Sequence, residues 1–227
     1  MIVMNIVSVE ILTNNLDETE KFYTQHLSLG IKDKTENTIS FSVRNSELIF
    51  REIKSENPVY HLAINIPCNK INDARNWLAE RVDIISVDEN NDIANFTDWN
   101  AKSVYFFDNN GNILELIARF DLLNSENEMF CNKSFICISE CGIATDDANE
   151  LTERIISVTK LPVFSKQKRR DDFSALGDDN GLLILSDTKR KWYPTNTKVD
   201  KFFIKIKIET SGKKTELIFN DDNSYKN

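Results

Sequence analysis

A short acidic turn occurs twice in the chain, and its surroundings repeat with it. Asp108-Asn109-Asn110-Gly111-Asn112-Ile113 joins two strand-like runs, SVYFFD (103–108) and NILELIA (112–118). Asp178-Asp179-Asn180-Gly181-Leu182-Leu183 stands at the same place in a second hairpin, FSALGDDNGLLILSD (173–187). Asn-Gly between apolar runs is a strong hairpin signal, because the tight turn needs positive φ, which these residues adopt at little cost. Each hairpin closes a longer unit. VYHLAINI (59–66) reads as a strand and INDARNWLAERV (71–82) as a helix with Ile71, Ala74 and Leu78 on one stripe. FICISECGIA (135–144) and ANELTERIISVTK (148–160) repeat that order ahead of the second hairpin.

The first residues follow the same plan. IVMNIVSVEIL (2–12) is a strand, and Asn15 with Glu18 three residues on has the form of a capping box. Leu16, Tyr23 and Leu27 keep helical spacing, Gly30 is placed to end the helix, and TISFSV (38–43) and ELIFREI (47–53) are strands. A fourth copy begins with KFFIKIKIE (201–209), but only TELIF (215–219) and a polar tail follow, so a truncated module is expected. Units of roughly 55–60 residues are too long for solenoid repeats and imply paired modules, two per domain. The expected division is a first domain over 1–120, a linker over 121–134 and a second, degenerate domain over 135–227.

Charge and composition narrow the function classes. Lys and Arg number 28 against 36 Asp and Glu, a net charge of −8, so phosphate backbones and anionic lipid are disfavoured as partners. No run approaches the roughly 20 apolar residues of a membrane span. The start, MIVMNIVSVEIL, lacks a basic n-region and a small-residue cleavage site, so a cytoplasmic protein is expected. The four cysteines form no CxxC pair and read as reduced thiols, with Cys137 and Cys141 on one strand face. The expected partner is a small molecule; self-association as a homodimer stays open.

SVYFFDNNGNILELIAR (103–119) resembles the closing hairpin of the vicinal oxygen chelate superfamily, with Asn110 where Asp is common, and NLDETEKFYTQHLSLG (15–30) is similar to its first helix. That group includes glyoxalase I, fosfomycin-resistance transferases, extradiol dioxygenases and bleomycin-resistance proteins. The resemblance implies an α+β fold in which paired βαβββ modules form curved mixed sheets around a cleft, in two tandem domains. It also implies a divalent metal held by first-strand and last-strand residues. Those positions fall on Ser8 and Phe50 in the first module and on His61 and Glu115 in the second. They fall on Glu140 and Leu185 in the third, and on Phe203 in the fourth.

Taken by themselves, the residues support part of this. Glu115 lies in an apolar strand, where a carboxylate needs a cation, a metal or several donors, and it is the candidate catalytic group. His61 shares a strand face with Ala63 and Asn65 and is the candidate imidazole ligand for Zn, Mn, Fe or Ni. A structural, hydrogen-bonded histidine explains it equally. Ser8 is a poor ligand, leaving two where catalytic sites usually keep three. Glu10, and beyond it Glu52, are the candidates to complete the set. On this count divalent metal binding is expected to be weak or absent. Ser8, Tyr105, Lys102 and Asn65 are the candidate substrate contacts, and the basic run KQKRR (166–170) reads as a solvated loop. The second domain reads as a structural partner without a metal site. Three readings follow: a metal-dependent lyase, transferase or dioxygenase acting in the first-domain cleft, a non-catalytic, small-molecule-sequestering protein with a degraded metal site, or a structural or regulatory domain whose cleft is vestigial.

Overall fold

Strand β1 (Met4–Thr13) runs into Asn15, whose side chain accepts the Glu18 N–H and so caps α1 (Leu16–Lys21). The helix continues as a π-helical turn over Phe22–His26, which seats Tyr23 fully in the core. β2 (Ile31–Lys34), β3 (Thr38–Val43) and β4 (Ser46–Glu52) complete the first module. The second contains β5 (His61–Ile66), α2 (Ile71–Ala79), the short β6 (Ile84–Ile85) and β7 (Ile93–Phe96), then β8 (Ala101–Phe107) and β9 (Ile113–Arg119). The third contains β10 (Cys137–Thr145), α3 (Ala148–Thr159), β11 (Phe173–Asp178) and β12 (Gly181–Asp187). Among the described residues the fourth has strands alone, β13 (Ile204–Thr210), β14 (Lys213–Phe219) and β15 (Tyr225–Lys226). This computed structural model describes residues 3–220 and 225–226.

The architecture is α+β, dominated by two mixed sheets with few helices. In three modules the first strand lies parallel to the last: β1 to β4, β5 to β9 and β10 to β12. A parallel pair needs a crossover, and the helix supplies it. β13 and β14 are instead an antiparallel hairpin turned at Gly212, as expected where no helix intervenes.

The sheets do not follow the expected division of the chain. One has the order β15-β14-β13-β1-β4-β3-β2, the other β11-β12-β10-β5-β9-β8-β6, with β7 beside β8. The first module is therefore hydrogen-bonded to the fourth through β1–β13, and the second to the third through β5–β10. Each half of the sequence contributes to both sheets. Segment 121–134 is packed as well: Phe130 joins Phe135 and Trp77 in an aromatic cluster.

The repeated turn supplies fastening rather than chemistry. Asp108 Oδ1 accepts the Asn110 and Asn112 N–H groups, and its Oδ2 accepts the Tyr23 hydroxyl at 2.8 Å, joining the first module to the second. Asp178 takes the Asn180 N–H and, across the sheets, the Met4 N–H. Ser46 Oγ donates to the Ile6 carbonyl and accepts from the Ile138 N–H. One hydrophobic cluster draws side chains from both sheets.

Candidate metal centre and cleft

Alternation along β5 sends Leu62, Ile64 and Ile66 to the shared core and His61, Ala63 and Asn65 to the opposite face. β9 lies beside it with Ala63 level with Glu115, and β8 places Tyr105 level with Glu115 on the other side. His61 and Glu115 thus share one face, with Nε2 of His61 3.5 Å from Glu115 Oε2.

β10 brings the third group. Opposite Asn65 lies Cys137 and opposite Ile64 lies Ile138, but opposite Ala63 lies Glu140 rather than Ser139. Ser139 is the extra residue of a β-bulge, and such a residue moves every later side chain to the other face. Glu140 is thereby turned onto the His61 face, with Oε2 3.9 Å from His61 Nε2. The same bulge corrects the expectation that Cys137 and Cys141 share a face: Cys137 pairs with Asn65, while Cys141 pairs with Leu62 and joins the core.

The count of two ligands is therefore too low. One atom each from His61, Glu115 and Glu140 lies within 4.8 Å of the others, and all three residues are buried. Donors about 2.0–2.2 Å from a single ion stand roughly 3.0–3.6 Å apart, so the group needs little adjustment to hold one. The His61 Nδ1–H donates to the Ile113 carbonyl at 3.2 Å, which leaves Nε2 as the lone-pair nitrogen facing the carboxylates. Burial lowers the His61 pKa and keeps the imidazole neutral.

Each carboxylate has a partner. Ser103 Oγ donates to Glu115 Oε1, and the Tyr105 hydroxyl also bonds Glu115. Burial nevertheless raises the Glu115 pKa. Glu140 is pushed up to about 7 by burial and by the Glu115 charge, against the pull of Arg119. Arg119 is fully buried and pairs through Nη2 with Glu140 Oε1. Its Nε donates to Asn65 Oδ1 at 3.2 Å, and its Nη1 lies 3.4 Å from Asp179. Lys166 continues the alternation of charge, 2.7 Å from Asp179 and 2.6 Å from Asp121.

His61, Glu115 and Glu140 form the buried end of a cavity of about 280 Å³. Its walls include Phe96, Trp99, Tyr105, Trp192 and Tyr193, and Arg170, Arg190 and Lys191 line its outer part. Trp192 and Tyr193 belong to the 188–203 segment between β12 and β13. A Cβ on Gly142 would stand 2.6 Å from Trp192 Cη2, so glycine is what admits this ring beside His61. The two rings are 5.6 Å apart, centre to centre.

Of the predicted site residues, the fold brings together His61, Glu115 and Tyr105. Glu10 lies in the other sheet, paired with Arg51 at 3.0 Å and Lys205 at 2.5 Å. Ser8 lies on that same β1, opposite Lys207, and is no cleft residue. Glu52 accepts from the Leu16 N–H, and Phe50 is core. Asn65 reaches the site only through Arg119, its amide donating to the Asp179 carbonyl. Lys102 alternates with Ser103 and does not line the cavity. The third module's last-strand position is Ile184, which lines the cavity, because Leu185 points into the core. In the fourth module Lys205, not Phe203, faces Glu10 across the sheet. Within 166–170, Lys166 is locked in ion pairs and Arg170 lines the cavity. Arg119 shares a strand face with Glu115 and Ile117 by period two, which makes it a partner for Glu115 on sequence grounds, but its ion pair is with Glu140. Sequence reasoning leaves Glu140 in a second domain without a site, and Trp192 carries no sequence signal.

No family model matches the sequence, and no curated protein does. Solved structures do match. A proposed dioxygenase from Bacillus subtilis superposes with a TM-score of 0.60 at 13% identity, covering 94% of this chain and 84% of its own. A V278E variant of glyoxalase I from Zea mays gives 0.57 at 14% identity, covering 99% and 91%. Both are vicinal oxygen chelate proteins, and this chain has their fold.

Proposed function

We propose that His61, Glu115 and Glu140 hold a divalent metal ion, and that the protein is a metal-dependent enzyme acting on a small molecule in the adjoining cleft. The observation that carries this reading is the convergence of one imidazole and two carboxylates, all buried, on one point of an aromatic cavity. A mixed nitrogen and oxygen donor set suits Mn, Fe, Co, Ni or Zn. When bound, such an ion supplies Lewis acidity toward a substrate oxygen. The chain's own groups do the rest. Ile113 orients His61, Ser103 and Tyr105 orient Glu115, and Arg119 holds Glu140 by one oxygen while leaving the other toward His61. The dioxygenase and glyoxalase names of proteins with this fold are compatible with a metal centre and do not select a reaction.

The second reading is a metal-free binding protein. It is favoured by the Arg119–Glu140 and Ser103–Glu115 contacts, which satisfy both carboxylates without an ion. Elemental analysis of protein purified without chelator, followed by titration with Mn²⁺ and Co²⁺, separates the two. The enzyme reading expects one ion per chain, lost in His61→Ala and in Glu140→Gln but retained in Glu10→Gln. Wild-type protein that takes up no ion under saturating metal leaves the binding protein as the answer.

A further inference from the structure

Charge is distributed unevenly along the cleft. Glu115 and Glu140 stand at its buried end, while Arg170, Arg190 and Lys191 line the end open to solvent. Among the ion pairs of the described residues, one carboxylate serves these three cations. Asp172 lies 2.6 Å from Arg190 Nη1 and 3.1 Å from Arg170 Nε, whereas Lys191 Nζ bonds only the neutral Asn196. Three cations at the outer end therefore share one directly paired carboxylate.

Arg190 Nε and Trp192 Nε1 are buried, unpaired among the described residues and closed off from the cavity, so charge rather than these two N–H groups is what the outer end offers a ligand. Arg190 is held in place, its other nitrogen on Asp172 and its guanidinium 5.2 Å from the Phe173 ring centre. Between the two ends the walls are aromatic. Tyr193 meets Tyr105 and Phe96 edge-on, each at 5.8 Å between ring centres, and Trp192 lies against His61. Rings so arranged favour a ligand with faces of its own, and about 280 Å³ admits only a compact one.

We infer that the cleft takes a compact planar anion, seated with its negative group at Arg190 and Lys191 and with its other end toward His61, Glu115 and Glu140. This rests on the reading of the cleft as a ligand site and names the class of ligand. In the metal-free cleft an anionic group at the inner end would face the two carboxylates instead, which sets the orientation that the titrations with and without cobalt test.

The test is calorimetric titration with benzoate, its neutral isostere benzamide, and cyclohexanecarboxylate, which has the charge without the flat ring. Each is titrated into chelator-treated and into cobalt-loaded protein. Benzoate is expected to bind at least about tenfold more tightly than benzamide in both forms, as a charge-assisted contact requires, and more tightly than cyclohexanecarboxylate. In Lys191→Gln, an exposed position, and in Arg190→Gln/Lys191→Gln of unchanged melting temperature, the benzoate–benzamide gap shrinks to about twofold or less. Equal binding of benzoate and benzamide, or a gap that survives the double substitution, overturns the proposal. So does a gap seen only in cobalt-loaded protein, which would put the carboxylate on the metal. Cyclohexanecarboxylate binding as well as benzoate overturns the planar part. The metal reading fails separately, by absence of a cobalt absorption band, whatever benzoate does.

Discussion

Glu140 reaches His61 from across the β5–β10 pair: its Oε2 is 3.9 Å from the imidazole Nε2, although the two residues lie on opposite sides of the 121–134 segment. The candidate centre therefore belongs to the junction of the second and third modules and to neither half of the chain. The other sheet carries no counterpart among the described residues. Its β1–β13 pair sets Glu10 opposite Lys205 and Ser8 opposite Lys207, so protein cations stand along the face where a ligand set would be needed.

Arg119 is the cation that makes a metal-free Glu140 tolerable. Arg119→Met leaves a buried carboxylate without its counter-charge, and a loss of about 3–5 kcal/mol is expected. Thermal melting with and without Mn²⁺ checks this. The ion should raise the melting temperature of the variant more than that of the wild type, because it replaces the missing positive charge. An equal rise in both would mean that no ion reaches Glu140.

Gly142 is needed for space at Trp192. A Cβ at this position would lie 2.6 Å from Trp192 Cη2, so Gly142→Ala must push the indole away from His61. Overpacking of this kind costs about 1–3 kcal/mol. Gly142→Ala combined with Trp192→Leu should lose less than the two changes summed, a coupling that a denaturation cycle measures.

Glu10 links β1 to β4 and β13 through Arg51 and Lys205. Burial raises its pKa, but hydrogen bonds from Lys205 and Arg51 outweigh this and leave it below its ordinary value. A depressed acid adds stability above its unfolded pKa and loses it as pH falls through the folded one. Glu10→Gln should thus cost on the order of 1 kcal/mol at pH 7. The gap to the wild type should close as pH drops below 4.5, a dependence urea titrations across pH 3–7 would expose.

Tyr23 and Asp108 fasten the first helix to the repeated turn. Tyr23→Phe removes one donor from a carboxylate that keeps Asn110 and Asn112, and should cost about 1–2 kcal/mol. Asp108→Ala strands the Tyr23 hydroxyl and both backbone N–H groups and should cost clearly more. Equal losses in chemical denaturation would show that the turn holds its shape without Asp108.

The features legible in the sequence are local ones. Asn15 caps α1 because its side chain reaches an N–H three residues on, and Asp108-Asn-Asn-Gly closes a hairpin because its backbone demands it. Period two places His61 and Glu115 on non-core faces, and neighbouring strands of one module then bring them together. Which modules meet is a matter of long-range packing. The edges of first strands are chemically alike, all offering the same backbone donors and acceptors, so nothing local distinguishes β5–β10 from a pairing of β5 with β1. The bulge at Ser139 is equally hidden, since one extra residue leaves the FICISECGIA pattern intact while reversing the face of Glu140. Those two non-local facts turn an isolated His–Glu pair into a three-residue candidate site, and the first of them is why Ser8, which the family resemblance implies, and Glu10, two residues along, lie in the other sheet.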